Sequence, residues 1–115
     1  MVKRGEGDFM YEERANLDAD FLRKVGPVLR SMGFANEREA LKEQALLLIL
    51  SKINRYRAEC SYYEKKYGMT FEKFAAMVNE NGGEDFEHED DLLDWRFAKE
   101  TLEDLMRQKK EIEDA

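Results

Sequence analysis

Cysteine, proline and histidine are nearly absent from this chain of 115 residues, and each occurs once, as Cys60, Pro27 and His88. A single cysteine cannot form an internal disulfide, so we expect the reducing cytoplasm as its compartment. A single proline favours helices over a loop-rich or sandwich fold. The longest apolar run, Ala45 to Leu50, is too short to span a bilayer, and no apolar run follows the first basic residues as in a signal peptide. We therefore expect a soluble protein without a membrane partner.

Residues suited to catalysis or metal binding are equally sparse. His88 lies in the acidic run Glu87–Asp91, but no second histidine or cysteine stands at ligand spacing, so the run predicts the acidic start of a helix. Cys60 lies in a different segment from His88, and Gly82-Gly83 lacks the following Lys, Ser or Thr of a phosphate-binding loop. The 26 acidic residues single out no catalytic pair. We expect no enzymatic activity, metal or cofactor.

Basic residues are in the minority, with 19 Lys and Arg against 26 Asp and Glu and a formal net charge of −7. Phosphate binding depends on clustered Lys and Arg, so nucleic acid is not a favoured partner and a basic protein surface is. Charged residues make up 39% of the chain, which leaves too little apolar surface for a large core. A helical hairpin that completes its burial by pairing suits this balance, and we expect a homodimer.

One long helical pattern from Asn36 to Tyr67 dominates what the sequence does contain. Asn36 is a predicted N-cap with Glu39 three residues later, and Gly68 is predicted to end the helix in the left-handed conformation. At about 1.5 Å per residue the helix would be roughly 45 Å long and must pack along its whole length. Its apolar residues form a heptad-like seam that faces a partner helix, made of Leu41, Ala45, Leu48, Ile49, Ile53, Tyr56, Cys60, Tyr63 and Tyr67.

The remaining pattern predicts an all-α fold. A first helix over about residues 18–32 should kink or restart at Gly26-Pro27, and Thr70 should cap a short helix over about 71–79. An acidic first turn predicts a last helix over about 90–112. It carries a second seam of Leu92, Trp95, Ala98, Leu102 and Leu105. The two seams predict an antiparallel hairpin within a helical domain over residues 18–115. Residues 1–17 then form an arm, a short strand around Phe9–Tyr11, or a tail.

A familiar motif joins the two long helices. The stretch Tyr63–Phe74, with the sequence YEKKYGMTFEKF, is followed by the acidic Glu89–Asp91 and then by Trp95 and Ala98. This pattern resembles small acidic all-helical prokaryotic proteins, many of them taken to be antitoxins of toxin–antitoxin modules. In those proteins a long helix ends in a similar EKKYGM-[ST]-FExF turn, and an acidic ED…W helix closes the chain. The likeness covers roughly Leu41 to Leu105 and implies a protein that binds a cognate toxin.

A second, more distant likeness concerns DNA. The two helices around Met32–Asn36 look like those of ribbon–helix–helix antitoxins, which dimerise and read DNA with a preceding basic strand. Here the preceding stretch, Gly7 to Asn16, has Arg14 as its only basic residue. Operator binding is therefore a minor alternative.

Two function hypotheses follow. The first is a non-enzymatic antitoxin-like protein that dimerises and masks a toxin, and the second is a structural coiled-coil or assembly adaptor without a toxin partner. Tyr62 and Phe97 fall off the two seams, and exposed aromatic residues beside a seam are typical anchors of an interface. Trp95 is the third predicted anchor. Acidic residues around the start of the last helix supply charge complementarity to a basic toxin, namely Glu84, Asp85, Glu87, Glu89, Asp90 and Asp91.

Overall fold

The computed structural model describes residues 19–82 and 85–115, and these residues form four helices without a strand. Helix α1 occupies residues 19–31, α2 runs from Glu37 to Tyr67, α3 from Phe71 to Glu80 and α4 from Phe86 to Glu113. The all-α prediction is confirmed. No described helix carries an apolar stretch that is long enough to cross a membrane. The predicted strand around Phe9–Tyr11, and Arg14 with it, lie outside the described residues.

The chain divides into two compact units, residues 1–44 and residues 45–115, and the boundary lies inside α2. In the first unit, α1 continues through Gly26-Pro27 without the predicted restart. Proline fixes φ near the helical value of about −65°, so it can stand within a helix, although the helix lacks one backbone hydrogen bond there. Gly33 ends the helix with φ of 101°, and Arg30 forms an ion pair with Glu37 at 3.6 Å.

Side-chain and glycine caps set the ends of α2 and α3 where the sequence predicts them. The Asn36 side-chain oxygen accepts a hydrogen bond from the Glu39 amide at 2.9 Å, and Gly68 ends α2 with φ of 64°. The Thr70 hydroxyl accepts from the Lys73 amide at 3.3 Å. Each cap satisfies a backbone group that has no partner within its own helix, so the helix boundary is determined locally.

Helix α4 begins at Phe86, four residues before the predicted start at residue 90. Asp85 is the N-cap, and its carboxylate accepts hydrogen bonds from the amides of Glu87 at 3.1 Å and His88 at 3.3 Å. A carboxylate at this position satisfies two amide donors and also interacts favourably with the helix dipole. Several acidic residues follow one another here. Because Asp85 and not a later one is the cap, the helix begins about one turn before the predicted start.

The second unit has an aromatic core between α2, α3 and α4. Trp95 and Phe74 lie at its centre, with 1% and 0% of their surface exposed, and Val78 and Leu92 complete the buried cluster. The Trp95 ring centroid lies 5.5 Å from those of both Phe74 and Phe71. The side chains that pack around this cluster come from α2, from α3 and from the turn between them, and include Cys60, Tyr63, Tyr67, Met69, Phe71, Ala75 and Met77.

Helix α2 packs against α4 as an antiparallel hairpin. Tyr63 stacks on Trp95 with ring centroids 5.7 Å apart, and Tyr56 meets Phe97 edge to face at 6.1 Å. From Tyr56 to Tyr63 along α2, the contacting residue on α4 moves back from Phe97 to Trp95, which is the signature of antiparallel helices. The predicted hairpin is therefore confirmed.

The predicted seam residues are not all buried. Ile53 is 2% exposed and Leu105 8%, whereas Leu48 is 69% and Leu41 66% exposed. The structure therefore does not bury Leu41 and Leu48 against any described part of the chain. The remaining seam residues are buried or half-buried, namely Ala45, Ile49, Tyr56, Cys60, Tyr63, Tyr67, Ala98 and Leu102.

Candidate partner-binding surface

The solvent side of α4 carries a stripe of large apolar side chains. Phe86, Leu93 and Phe97 are 79%, 59% and 61% exposed. They stand seven and four residues apart, and this spacing places them on one face of a helix. Trp95, two residues beyond Leu93, points to the opposite side and into the core. The burial of Trp95 therefore leaves the stripe facing outward.

Carboxylates stand among these apolar side chains. Asp90 lies one helical turn after Phe86, and Asp94 follows Leu93 directly; both are exposed. Neither aspartate forms an ion pair with a residue that the structure describes. We call this surface, made of Phe86, Asp90, Leu93, Asp94 and Phe97, the α4 outer face. It presents apolar area and negative charge together.

Tyr62 of α2 lies beside the α4 outer face. Its side chain is 59% exposed and packs edge to face on Tyr63, with ring centroids 5.1 Å apart. Tyr62 and Phe97 both line one open depression of about 510 Å³, together with Glu59 and Asp94. These two aromatic residues, which the sequence places off the seams, therefore border the same depression across α2 and α4.

Trp95 does not share that position. Its exposed fraction of 1% and its stacking on Tyr63 make it the centre of the core, so it offers no surface to a partner. The hypothesis of Trp95 as a third surface anchor is corrected here. The heptad seam that contains Trp95 faces α2 and α3 of the same chain, and burial against them removes the indole from solvent.

Three of the acidic residues near the start of α4, namely Asp85, Glu87 and Asp91, are engaged within the chain. The Lys66 ammonium lies 2.7 Å from Asp91 and 3.4 Å from Glu87, and the Tyr67 hydroxyl donates a hydrogen bond to Asp91. His88 Nδ1 lies 2.9 Å from the carboxylate of Asp85. The contacts of Lys66 and Tyr67 join the end of α2 to the beginning of α4. Glu89 is half-buried, Asp90 is exposed, and Glu84 lies outside the described residues.

The contacts of Asp91 shift the pKa values of three groups. Burial raises the pKa of Asp91, but the hydrogen bonds from Lys66 and Tyr67 outweigh it and hold the pKa below its ordinary value. Burial and the bond to Asp91 raise the pKa of Tyr67 to about 12. The same carboxylate raises the pKa of Lys66. At neutral pH the site is an anionic aspartate held by a cationic lysine and a neutral tyrosine.

Cys60 lies half-buried on α2 beside the core. Burial raises the pKa of its thiol, and the carboxylates of Glu64 and Glu59 raise it further. The protonated thiol is a poor nucleophile and a poor metal ligand. No three His, Cys, Asp or Glu side chains of the described chain are grouped so that they could hold a metal ion.

Sequence reasoning identified Tyr62 and Phe97 but missed Phe86 and Leu93. The available signal was the spacing of seven and four residues from Phe86 through Leu93 to Phe97, on the side of the helix away from Trp95. Comparisons with protein-family models, with curated proteins and with solved structures find no match for the chain. Support for a function therefore comes from the surfaces of the chain itself.

Proposed function

We propose that this protein is a non-enzymatic, antitoxin-like binding protein that covers a basic surface of a cognate toxin with its α4 outer face. The observation that carries the proposal is the exposed stripe of Phe86, Leu93 and Phe97 among carboxylates without an ion pair in the described chain. Large apolar residues repeated on one helix face are the contacts by which a helix binds in a groove of another protein.

The charge of the stripe selects the kind of partner. Asp90 and Asp94 favour a partner surface with Lys or Arg around an apolar groove, and they disfavour an acidic one. Tyr62 extends the contact onto α2, since it borders the same depression as Phe97. Trp95 acts indirectly, because its packing holds α4 in the orientation that leaves the stripe exposed.

Co-expression with the adjacent reading frame, followed by size-exclusion chromatography with light scattering, tests the proposal. We expect a stable complex, and growth arrest when the neighbour is expressed alone. The double variant Leu93→Ala/Phe97→Ala should bind at least tenfold more weakly, because truncation of an interface anchor costs about 2 kcal/mol or more. Both side chains are exposed, so the variant should keep its helical circular dichroism.

A matched control uses the two exposed leucines of α2. Leu47 and Leu48 are 53% and 69% exposed and lie outside the α4 outer face. Leu47→Ala/Leu48→Ala should leave toxin binding unchanged. If this control abolishes binding while Leu93→Ala/Phe97→Ala does not, the α4 outer face is the wrong surface.

The same two leucines favour a second candidate function, that of an assembly adaptor. Adjacent exposed leucines on a long helix are suited to pairing with another helix. An adaptor of this kind would form a homo-oligomer that ignores its neighbouring gene product, and Leu47→Ala/Leu48→Ala would dissociate it. Light scattering of the chain alone, compared with the co-expressed pair, separates the two functions.

A further inference from the structure

A groove of about 700 Å³ lies between the middle of α2 and the end of α4. Three apolar side chains line it, and they are Ile53, which is 2% exposed, Leu50, which is 38% exposed, and Met106, which is 46% exposed. Helix α3 contributes no residue to this lining. Apolar surface thus remains open to solvent at the end of the hairpin opposite the aromatic core.

Three basic and two acidic residues line this groove, so its charge is slightly positive in a chain whose net charge is −7. Arg57, Lys109 and Lys110 line the groove together with Glu113 and Asp114. Lys109 pairs with Glu113 at 3.2 Å. Arg57 and Lys110 line the groove without an ion pair to a described residue, so their charges are available to a bound segment. The groove therefore suits an apolar segment that carries negative charge.

We infer that the occupant is the α4 outer face of a second copy of this chain. That face has the complementary chemistry, since Leu93 and Phe86 supply exposed apolar groups and Asp90 supplies an exposed carboxylate. The apolar groups would enter between Leu50 and Met106, with the carboxylate beside the cations of the rim. The inference rests on the proposed function in one respect, because both use the α4 outer face as a binding surface.

The face cannot fill the groove of its own chain. Leu93 and Lys110 lie on one continuous helix, 17 residues apart, which at about 1.5 Å per residue separates them by about 25 Å. The contact is therefore between molecules, and it joins two different patches, so it is head-to-tail rather than symmetric. Association buries the α4 outer face, and toxin binding and self-association compete for it.

Two variants and their mixture test the arrangement. The groove variant, Arg57→Glu/Lys110→Glu, keeps the outer face, and the face variant, Phe86→Ala/Leu93→Ala, keeps the groove. By light scattering, the average mass of the wild type should rise above the monomer mass of 13.6 kDa as concentration increases, and it should return to that mass in high salt. Each variant alone should remain a monomer, and an equimolar mixture should form a 1:1 dimer that grows no further.

The mixture is decisive, because only a head-to-tail contact lets one intact face meet one intact groove. A wild type that stays monomeric at every concentration overturns the inference. A groove variant that associates like the wild type also overturns it, since the groove is then not the binding site. The control Lys65→Glu/Lys73→Glu makes the same charge change at exposed positions outside the groove and should associate like the wild type.

Failure of this inference and failure of the proposed function give different results. The association experiment contains no toxin, so it stands or falls on the chain alone. In a titration with the co-expressed partner at high chain concentration, the groove variant should bind at least as tightly as the wild type because its face is free. Self-association with no toxin complex would refute the proposed function alone, and a toxin complex with a monomeric wild type would refute only the inference.

Discussion

The substitution Trp95→Ala tests the described core most directly. Trp95 is 1% exposed, and its ring lies within 5.7 Å, centroid to centroid, of Tyr63, Phe71 and Phe74. Truncating a buried aromatic residue to alanine costs about 3–5 kcal/mol. Each aromatic pair contributes about 0.5–1.5 kcal/mol beyond its buried area, so contacts to three rings place the loss near the top of that range, at about 5 kcal/mol.

That loss is large for a domain of this size. Total stabilities are about 5–15 kcal/mol, and in a small domain each kcal/mol lowers the thermal midpoint by about 4–8 °C. We therefore expect Trp95→Ala to melt about 20 °C or more below the wild type, or to be unfolded at room temperature. Helix α4 should be lost together with α2 and α3, because the indole of α4 contacts side chains of both other helices.

Urea unfolding followed by far-UV circular dichroism measures the effect, with Phe97→Ala as the matched aromatic control. Phe97 is on the same helix and is 61% exposed, so its truncation should cost less than about 1 kcal/mol. A Trp95→Ala protein within about 1 kcal/mol of the wild type would refute the described core. Equal losses from the two substitutions would refute the assignment of Phe97 to the surface.

Three further outcomes follow from the contacts between helices and from the turn at the end of α2. Asp91→Asn removes the anion that holds Lys66 and Tyr67, so the thermal midpoint at neutral pH should fall by several degrees, measured by circular dichroism. The pKa of Asp91 is lowered in the folded state, so its ionisation stabilises the fold above about pH 4, and this stabilisation is lost as the pH falls through the folded pKa. Asp91→Asn should remove this pH dependence of the stability. The pKa of Tyr67 is raised to about 12, so the stability that its protonated form contributes is complete below about pH 10 and is lost as the pH rises through the folded pKa. Tyr67→Phe should remove this loss of stability at alkaline pH. An unchanged dependence of stability on pH would contradict the contact between Tyr67 and Asp91. Gly68→Ala should cost about 1 kcal/mol in urea unfolding because φ is 64° there, and a neutral result would contradict the left-handed turn.

The sequence predicted the helices whose ends depend on a single local signal. Asn36 and Thr70 are isolated capping residues, and Gly68 is an isolated stop signal, so α2 was predicted with its observed bounds and α3 to within one residue. The start of α4 was misplaced because many acidic residues there are acceptable caps. Asp85 is the one whose carboxylate accepts from the amides of Glu87 and His88, and local sequence does not distinguish it from its acidic neighbours.

The surface was less predictable than the fold. Heptad spacing places Trp95 on a seam, but spacing alone does not tell whether the seam meets the same chain or another molecule. The structure shows that α2 and α3 cover it completely. Phe86 and Leu93 read as scattered exposed apolar residues, which are common on any protein surface. They become a stripe only when the burial of Trp95 defines which side of α4 faces solvent.

The position of Trp95 also gives the protein an optical property. It is the single tryptophan of the chain, and Tyr63 stacks on it at 5.7 Å. Light absorbed by Tyr63 therefore transfers to the indole when α2 and α4 are together, and the enclosed indole emits at shorter wavelength than one in water. Separation of α4 from α2 and α3 weakens this transfer and moves the emission to longer wavelength. The native chain thus carries its own unlabelled fluorescent reporter of hairpin closure.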